Sequence, residues 1–315
     1  MGQVSTQCGK IVLRKETAVT MLRAVLCLVA GALILAAQGP AVPKETLPPI
    51  LTPWEAAPPR TREANNSAFP PHKVIGNVYY VGTQDYASFL ITSDQGHILI
   101  NPDFEDSVPL IEKSVEQLGF KFRDIKIILI SHAHGDHCAG VSKMKEMTGA
   151  QFMVMDADAP VMEKGGAGRG GFPAVTVSRV LHDRDQVKLG GNTLTAVLTP
   201  GHTKGCTTWT LKTQDGGKSY NVVIVGSAGV NDAHYLVNNA NYPDVIADYQ
   251  KTFRALKALD CDVFLASHGV FYGLKEKYPK LASGSNPFID PEGYKAHVKL
   301  MEEAFYYKLD WAMRQ

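Results

Sequence analysis

Cysteine is scarce in this chain, with five in 315 residues, too few for a disulfide framework to hold a fold of this size. Charge of one sign is also missing: 32 Lys plus Arg oppose 31 Asp plus Glu, a formal net charge of +1. That balance offers no basic footprint for nucleic acid and no acidic tail. No short-period repeat occurs, which excludes a solenoid, and no G-x-S-x-G step, which excludes a serine nucleophile elbow. What is present is an ordinary globular balance, 45% hydrophobic and 20% charged. It excludes a disordered or collagen-like chain and supplies enough apolar residues for a full core. The length fits two domains or one large layered domain.

The first segment does not read as folded domain. Arg14, Lys15 and Arg23 precede an apolar run over 24–37 that ends in Ala36 and Ala37 before Gly39 and Pro40. The run falls short of the ~20 apolar residues a membrane span needs. Basic residues, a short apolar stretch and small residues together read as a secretory signal peptide, with Met21 as an alternative start. Residues 1–38 are therefore expected to be an N-terminal extension and signal peptide, and the protein to be exported to the periplasm with no stable membrane partner after cleavage. A retained membrane anchor is the competing reading. Taking Lys10, Arg14, Lys15, Arg23 and Glu16 away from the 32 basic and 31 acidic residues leaves a net charge of −2. Cys138, Cys206 and Cys261 then remain, an odd number, so at least one thiol is free. Cys138 and Cys206, each near a histidine motif, are a candidate pair, although sequence alone does not fix disulfide geometry.

Residues 39–72 are Pro-rich and suit an extended arm. From residue 74 short β-branched and aromatic runs alternate with Gly, Asn and Asp: VIGNVYYVGT, ASFLITSD and GHILINP predict a strand meander. DSVPLIEKSVEQLGF has helical spacing and a Gly stop. IKIILIS reads as a strand buried on both faces, AGVSKMKEMTG as a helix and AQFMVMD as a strand. The second half repeats the style, with strands at QVKLGG, TLTAVLT, CTTWTLKT, YNVVIVGS and DVFLAS, and helices at PDVIADYQKTFRALKAL and from Pro291 to about Lys308. Strands followed by covering helices, twice over, predict two packed sheets with helices outside.

One segment carries the chemistry: Ser131-His132-Ala133-His134-Gly135-Asp136-His137, directly after IKIILI. Three imidazoles and a carboxylate at a strand end are costly to leave unpaired away from water, whereas zinc takes both donor types. His132 and His134 point the same way in an extended stretch and can share one ion; Asp136 and His137, past the turn at Gly135, can face a second. His202 in TPGHTKG and His268 in ASHG also end strands at Gly-flanked turns, which puts them at the same rim. His72, His97, His182, His234 and His297 lack such context and are expected to be ordinary polar or surface residues. Ser142 to Lys145 fits S-x-x-K without its companion motifs and is taken as chance. The loop 165–171 contains a G-x-G-x-x-G match that does not lie between a strand and a helix, so it is no dinucleotide site.

The H-x-H-x-D-H motif, the following GH and the late SHG, in this order, resemble the metallo-β-lactamase superfamily from about residue 74 to the C-terminus. The resemblance implies an α/β fold, a four-layer αββα sandwich over 73–315, with two zinc ions at one edge. His132, His134 and His202 would hold the first, and Asp136, His137 and His268 the second. Many hydrolases of the superfamily, glyoxalase II and lactonase types among them, carry a metal-bridging Asp in a Gly-Asp step after a buried strand. Here YNVVIV ends in Gly226-Ser227. That serine, His137 after Asp136, and the stretches TPGHTKGCTTWT and YPDVIADYQKTFRALKALDCDVFLASHG are similar to the B3 subclass of metallo-β-lactamases. Two departures stand out: Asn101 where an acidic residue is usual, and Tyr294 where a cysteine would partner Cys261.

The resemblance further implies a small-molecule β-lactam substrate (penicillins, cephalosporins, carbapenems) and no nucleic-acid partner. Attack on the lactam carbonyl would come from a zinc-bound hydroxide, since the metal brings the pKa of water from 15.7 to near 7. Asp136 would orient it or pass its proton to the nitrogen. Ser227 would hydrogen-bond the water or the substrate carboxylate, or serve as a plain turn serine. Ser283 and Ser285 are further candidates for that carboxylate, and the glycine-rich loop either folds over substrate or makes no contact. The alternatives are a thioester, lactone or phosphodiester hydrolase of the same superfamily, and a non-catalytic zinc-binding protein.

Overall fold

The computed structural model describes residues 50–58, 61–166 and 171–315. The expected signal peptide and most of the glycine-rich loop's centre lie outside them. Residues from Pro49 onward form one compact unit. Within the Pro-rich arm the chain is not extended throughout. Thr52 and Thr61 cap two short helical turns, Pro53–Ala56 and Arg62–Asn65, because each threonine hydroxyl accepts an N–H three residues on.

Seven strands form the first sheet: β1 (His72–Ile75), β2 (Val78–Tyr80), β3 (Phe89–Ile91), β4 (His97–Ile100), β5 (Ile125–Leu129), β6 (Gln151–Met155) and β7 (Arg179–Leu181), in sequential order. β1 to β4 pair antiparallel and β4 to β7 parallel. The predicted strand VIGNVYYVGT splits in two because Gly76, at φ +52°, takes a left-handed turn that side-chain-bearing residues resist. Five further strands, β8 (Gln186–Leu189), β9 (Asn192–Leu198), β10 (Thr207–Asp215), β11 (Lys218–Val225) and β12 (Val263–Ala266), form the second sheet in the order 12-11-10-9-8. β12 joins parallel to β11; the rest is an antiparallel meander.

Alternation along the strands sorts the core into layers. Phe89, Ile91, Ile98, Ile100, Ile127 and Leu129 share one apolar cluster with Trp209, Leu211 and Ile224 of the second sheet. Leu90, Leu99, Ile128 and Phe152, on the opposite face of the first sheet, pack with Val108, Ile111 and Val115 of the helix Val108–Gln117 and with Met144 of Val141–Thr148. Val245, Tyr249, Phe253 and Leu256, on one face of the helix Val245–Lys257, join the inter-sheet cluster together with Val298, Met301 and Phe305 of the C-terminal helix Pro291–Met313. The result is the two-sheet α/β sandwich the sequence predicts.

Backbone hydrogen bonds cross between the sheets at one rim. Thr207 N–H donates to the Ser131 carbonyl at 2.7 Å, Ala87 N–H to Ser267 at 3.0 Å and Gly269 N–H to Asp85 at 2.7 Å. The indole of Trp209 donates to the Ile130 carbonyl at 3.0 Å. These bonds fix the end of β5 against β10, and the end of β12 against the segment that leads into β3.

The three described cysteines are free thiols. The candidate Cys138–Cys206 disulfide is therefore absent, and burial pushes both thiols up, away from the reactive thiolate. Tyr294, where a cysteine partner for Cys261 was anticipated, is buried and its hydroxyl donates to the Leu256 carbonyl at 2.7 Å. Three of the five histidines read as ordinary polar or surface residues are in fact buried: His72, His97 and His297. His72 stacks between Tyr80 and Phe288, and His297 sits beside Phe264 and Phe271, so aromatic packing takes the place of solvent.

Candidate metal centre

His132 and His134 follow β5, with His134 opening the short turn Gly135–Cys138 that carries Asp136 and His137. His202 follows β9, Ser227 follows β11 and His268 follows β12. Because these strand ends meet at one rim, six side chains converge into two triplets, His132–His134–His202 and Asp136–His137–His268, whose donor atoms in each case lie within 4.8 Å of one another.

Nitrogen separations are 3.1 Å between His134 Nδ1 and His202 Nε2 and 3.2 Å between the Nε2 atoms of His137 and His268. Asp136 Oδ2 lies 3.5 Å from both of the latter. A tetrahedral zinc ion with bonds of about 2.0–2.2 Å sets its ligands ~3.3–3.6 Å apart, close to these separations, so each triplet is spaced to take an ion of its own. Tautomers fit as well. His202 Nδ1 donates to the Gly229 carbonyl at 2.8 Å and His268 Nδ1 to Asp85 at 3.0 Å, which leaves each Nε2 lone pair aimed inward. His132 Nδ1 lies 3.1 Å from Ser131 Oγ, an oxygen able to accept its hydrogen and so leave Nε2 for a metal.

Charge points the same way. Burial is the main cause holding His137 and His202 neutral, both lowered to about 3, and it holds His132 well below its ordinary range. Asp136 is pushed down to about 2; burial opposes this, but the neighbouring His137, His268 and His134 outweigh it. At His268 burial also works against the cation, yet Asp85 and Asp136 raise its pKa overall. An ionised carboxylate beside imidazoles kept neutral presents unprotonated donors, the form in which these side chains bind a metal ion.

Three supporting residues carried no sequence signal. Asp85, buried against His268, also accepts Val270 N–H at 3.0 Å. Asp158, equally buried, accepts Ala133 N–H at 2.9 Å, Gly205 N–H at 2.9 Å and the Thr203 hydroxyl at 3.0 Å. It thereby ties the His132–His134 loop to the His202 loop, and Gly205 leaves room for it, since a Cβ there would come within 2.6 Å of its carboxyl carbon. Trp54 is the third: its ring centroid lies 4.7 Å from that of His268. Asn101, the departure from the usual acid, accepts Ser131 N–H at 2.7 Å and donates to the Ala87 carbonyl at 3.3 Å. An amide serves both bonds at once, which a carboxylate cannot.

The triplets open onto a cleft of about 400 Å³ whose walls include Trp54, Glu55, Ser227, Val230, Asn231 and Phe271. Ser227 is buried but reaches the cleft. Ser283 and Ser285 do not line it: they are exposed, and Ser283 donates to Lys280 of its own turn. Neither Ser142 nor Lys145 lines it either; Lys145 donates to the Thr176 carbonyl. Among the described residues of the glycine-rich loop, Gly165, Gly166 and Gly171, none lines it.

A family model for the metallo-beta-lactamase superfamily matches residues 81–268, the span that holds all six converging side chains. The chain belongs to the metallo-beta-lactamase superfamily. Among solved structures, the native FEZ-1 metallo-beta-lactamase from Legionella gormanii is 47% identical with a TM-score of 0.78, over 79% of this chain and 99% of that one. BJP-1, a subclass B3 metallo-beta-lactamase of Bradyrhizobium japonicum, is 36% identical with a TM-score of 0.76, over 80% of this chain and 98% of that one. The expected likeness to subclass B3 is thus borne out. A hydroxyacylglutathione hydrolase from Cereibacter sphaeroides is 36% identical over 78 residues, spanning 25% of this chain and 26% of that protein. The chain therefore covers about a quarter of that curated relative's length. The family makes this chain a superfamily hydrolase with candidate metal ligands.

Proposed function

We propose that this protein is a zinc-dependent β-lactamase that opens the lactam amide of penicillins, cephalosporins and carbapenems, with two zinc ions per chain. The observation that carries this reading is the pair of three-residue clusters beside Ser227, a position where a bridging aspartate marks many thioester and lactone hydrolases. The end-to-end similarity to FEZ-1 and BJP-1 supports it. When bound, zinc supplies Lewis acidity and lowers the pKa of water. The chain's own residues do the rest. Asp136, the most open member of its triplet at 28% side-chain exposure, orients the attacking water and takes its proton towards the lactam nitrogen. Asp85 holds the His268 ring, and the Gly229 carbonyl holds that of His202. Ser227 offers a hydroxyl to the substrate carboxylate. Trp54 and Phe271 exclude water from the apolar side of the cleft.

A second reading, hydrolysis of an acylglutathione thioester, is favoured by the short match to hydroxyacylglutathione hydrolases. Side-by-side assays with a carbapenem and an acylglutathione decide between the two. A kcat/KM for the thioester above that for every β-lactam class would overturn our reading. We further propose that the protein works in the periplasm after removal of an N-terminal signal. No helix among the described residues is long and apolar enough to cross a membrane.

A further inference from the structure

One wall of the cleft is built from a very short element. The turn Pro53–Ala56 is four residues long, below the length at which a helix holds itself, so tertiary contacts must place it. Thr52 and Glu55 close a capping box, with Glu55 Oε2 accepting both Thr52 N–H at 2.9 Å and the Thr52 hydroxyl at 2.8 Å. Glu55 Oε1 remains, and it meets Lys308 Nζ at 2.5 Å. The same ammonium donates to the Val230 carbonyl at 2.5 Å. Val230 also lines the cleft, in the segment that follows β11.

Lys308 itself comes from the C-terminal helix and does not line the cleft, yet its side chain is only 15% exposed. A lysine so enclosed sacrifices hydration and rotamer freedom, and here its partners are one carboxylate and one carbonyl, each from a different wall. Trp54, next to Glu55 on the same turn, lies with its ring centroid 4.7 Å from that of His268.

Resting on the β-lactamase reading, we propose that Lys308 is a positioning residue that latches the Thr52–Ala56 turn to the Val230 wall and so sets substrate affinity. The latch preorganises the cleft before substrate arrives. Its loss removes binding common to substrate and transition state, which appears in KM and leaves kcat alone.

The test compares the full-length zinc-loaded chain with Lys308→Met, which keeps the apolar stem, Glu55→Gln, which breaks the pair from its other end, and Lys308→Arg, which keeps the cation. Amide exchange over 50–58 and 228–232, zinc content, and KM and kcat for a carbapenem are read on each. Expected in Lys308→Met and Glu55→Gln are faster exchange in 50–58, unchanged zinc, unchanged kcat and KM raised about tenfold, with KM recovered in Lys308→Arg. Exchange at the wild-type rate in both variants overturns the latch, as does faster exchange with unchanged KM. Loss of zinc and kcat together overturns it too, because Lys308 then supports the fold or metal centre rather than the wall. A wild-type chain that opens no β-lactam defeats the proposed function, and the exchange arm alone then decides the latch.

Discussion

Asp85 and His268 are 183 residues apart in sequence and 3.0 Å apart in space, with the carboxylate accepting the Nδ1 hydrogen of the ring. The other oxygen of Asp85 accepts Val270 N–H, so the carboxylate locks the strand end and the ring that it presents. Supporting partners of this kind are worth about 10–100-fold in metal affinity. Asp85→Asn is therefore expected to weaken the Asp136–His137–His268 site by that factor while the other triplet is unaffected. Competition with a chromophoric chelator measures it, and two unchanged affinities would show that Asp85 is only a packing residue.

Asp158 joins two loops through three accepted hydrogen bonds, in full burial. Asp158→Ala leaves donors from Ala133, Thr203 and Gly205 without partners, each costing on the order of 1–3 kcal/mol. We expect unfolding free energy to drop by at least about 3 kcal/mol and the His132–His134–His202 site to bind zinc more weakly. Urea unfolding with zinc titration tests both.

The two triplets should fail separately. His202→Ala is expected to lose the first ion and retain the second; Asp136→Ala should lose the second ion and nearly all turnover while the fold survives. Metal content after dialysis, with circular dichroism, reads the outcome. Normal turnover in Asp136→Ala would falsify the two-metal account.

Buried His72 and His297 predict acid sensitivity. Burial lowers each to about 4, in His72 against a hydrogen bond to the Pro70 carbonyl. An unfolded histidine titrates near 6.5, so between 6.5 and 4 the unfolded chain binds more protons. The contribution is complete above pH ~6.5, shrinks as pH falls, and is exhausted below pH ~4. Each group accounts for roughly 3 kcal/mol. His297→Phe, which suits the site beside Phe264 and Phe271, should flatten the stability profile between these limits. An unchanged slope would mean that His297 titrates normally.

Legibility differed with the range of the signal. His132, His134, Asp136 and His137 could be read because their spacing is local and the strand before them is an unbroken apolar run. His202 and His268 came through as Gly-flanked strand ends. The layers were readable where strand alternation was long, whereas β7, three residues with only Leu181 buried, had too little pattern to show. Asp85, Asp158 and Trp54 act through partners 25 to 214 residues distant in sequence, and no local motif marks them. Ser283 and Ser285 illustrate the reverse error. A serine-rich stretch following His268 looked close to the site, but it bonds within its own turn. Histidine burial was misjudged because aromatic stacking between elements leaves no sequence period.

The most direct test of the central claim follows carbapenem ring opening by absorbance with the zinc-loaded chain, after chelation, and after zinc is restored. The account predicts rapid loss of the lactam chromophore, abolished by the chelator and recovered with zinc. A folded, zinc-loaded protein that leaves the carbapenem intact would contradict it.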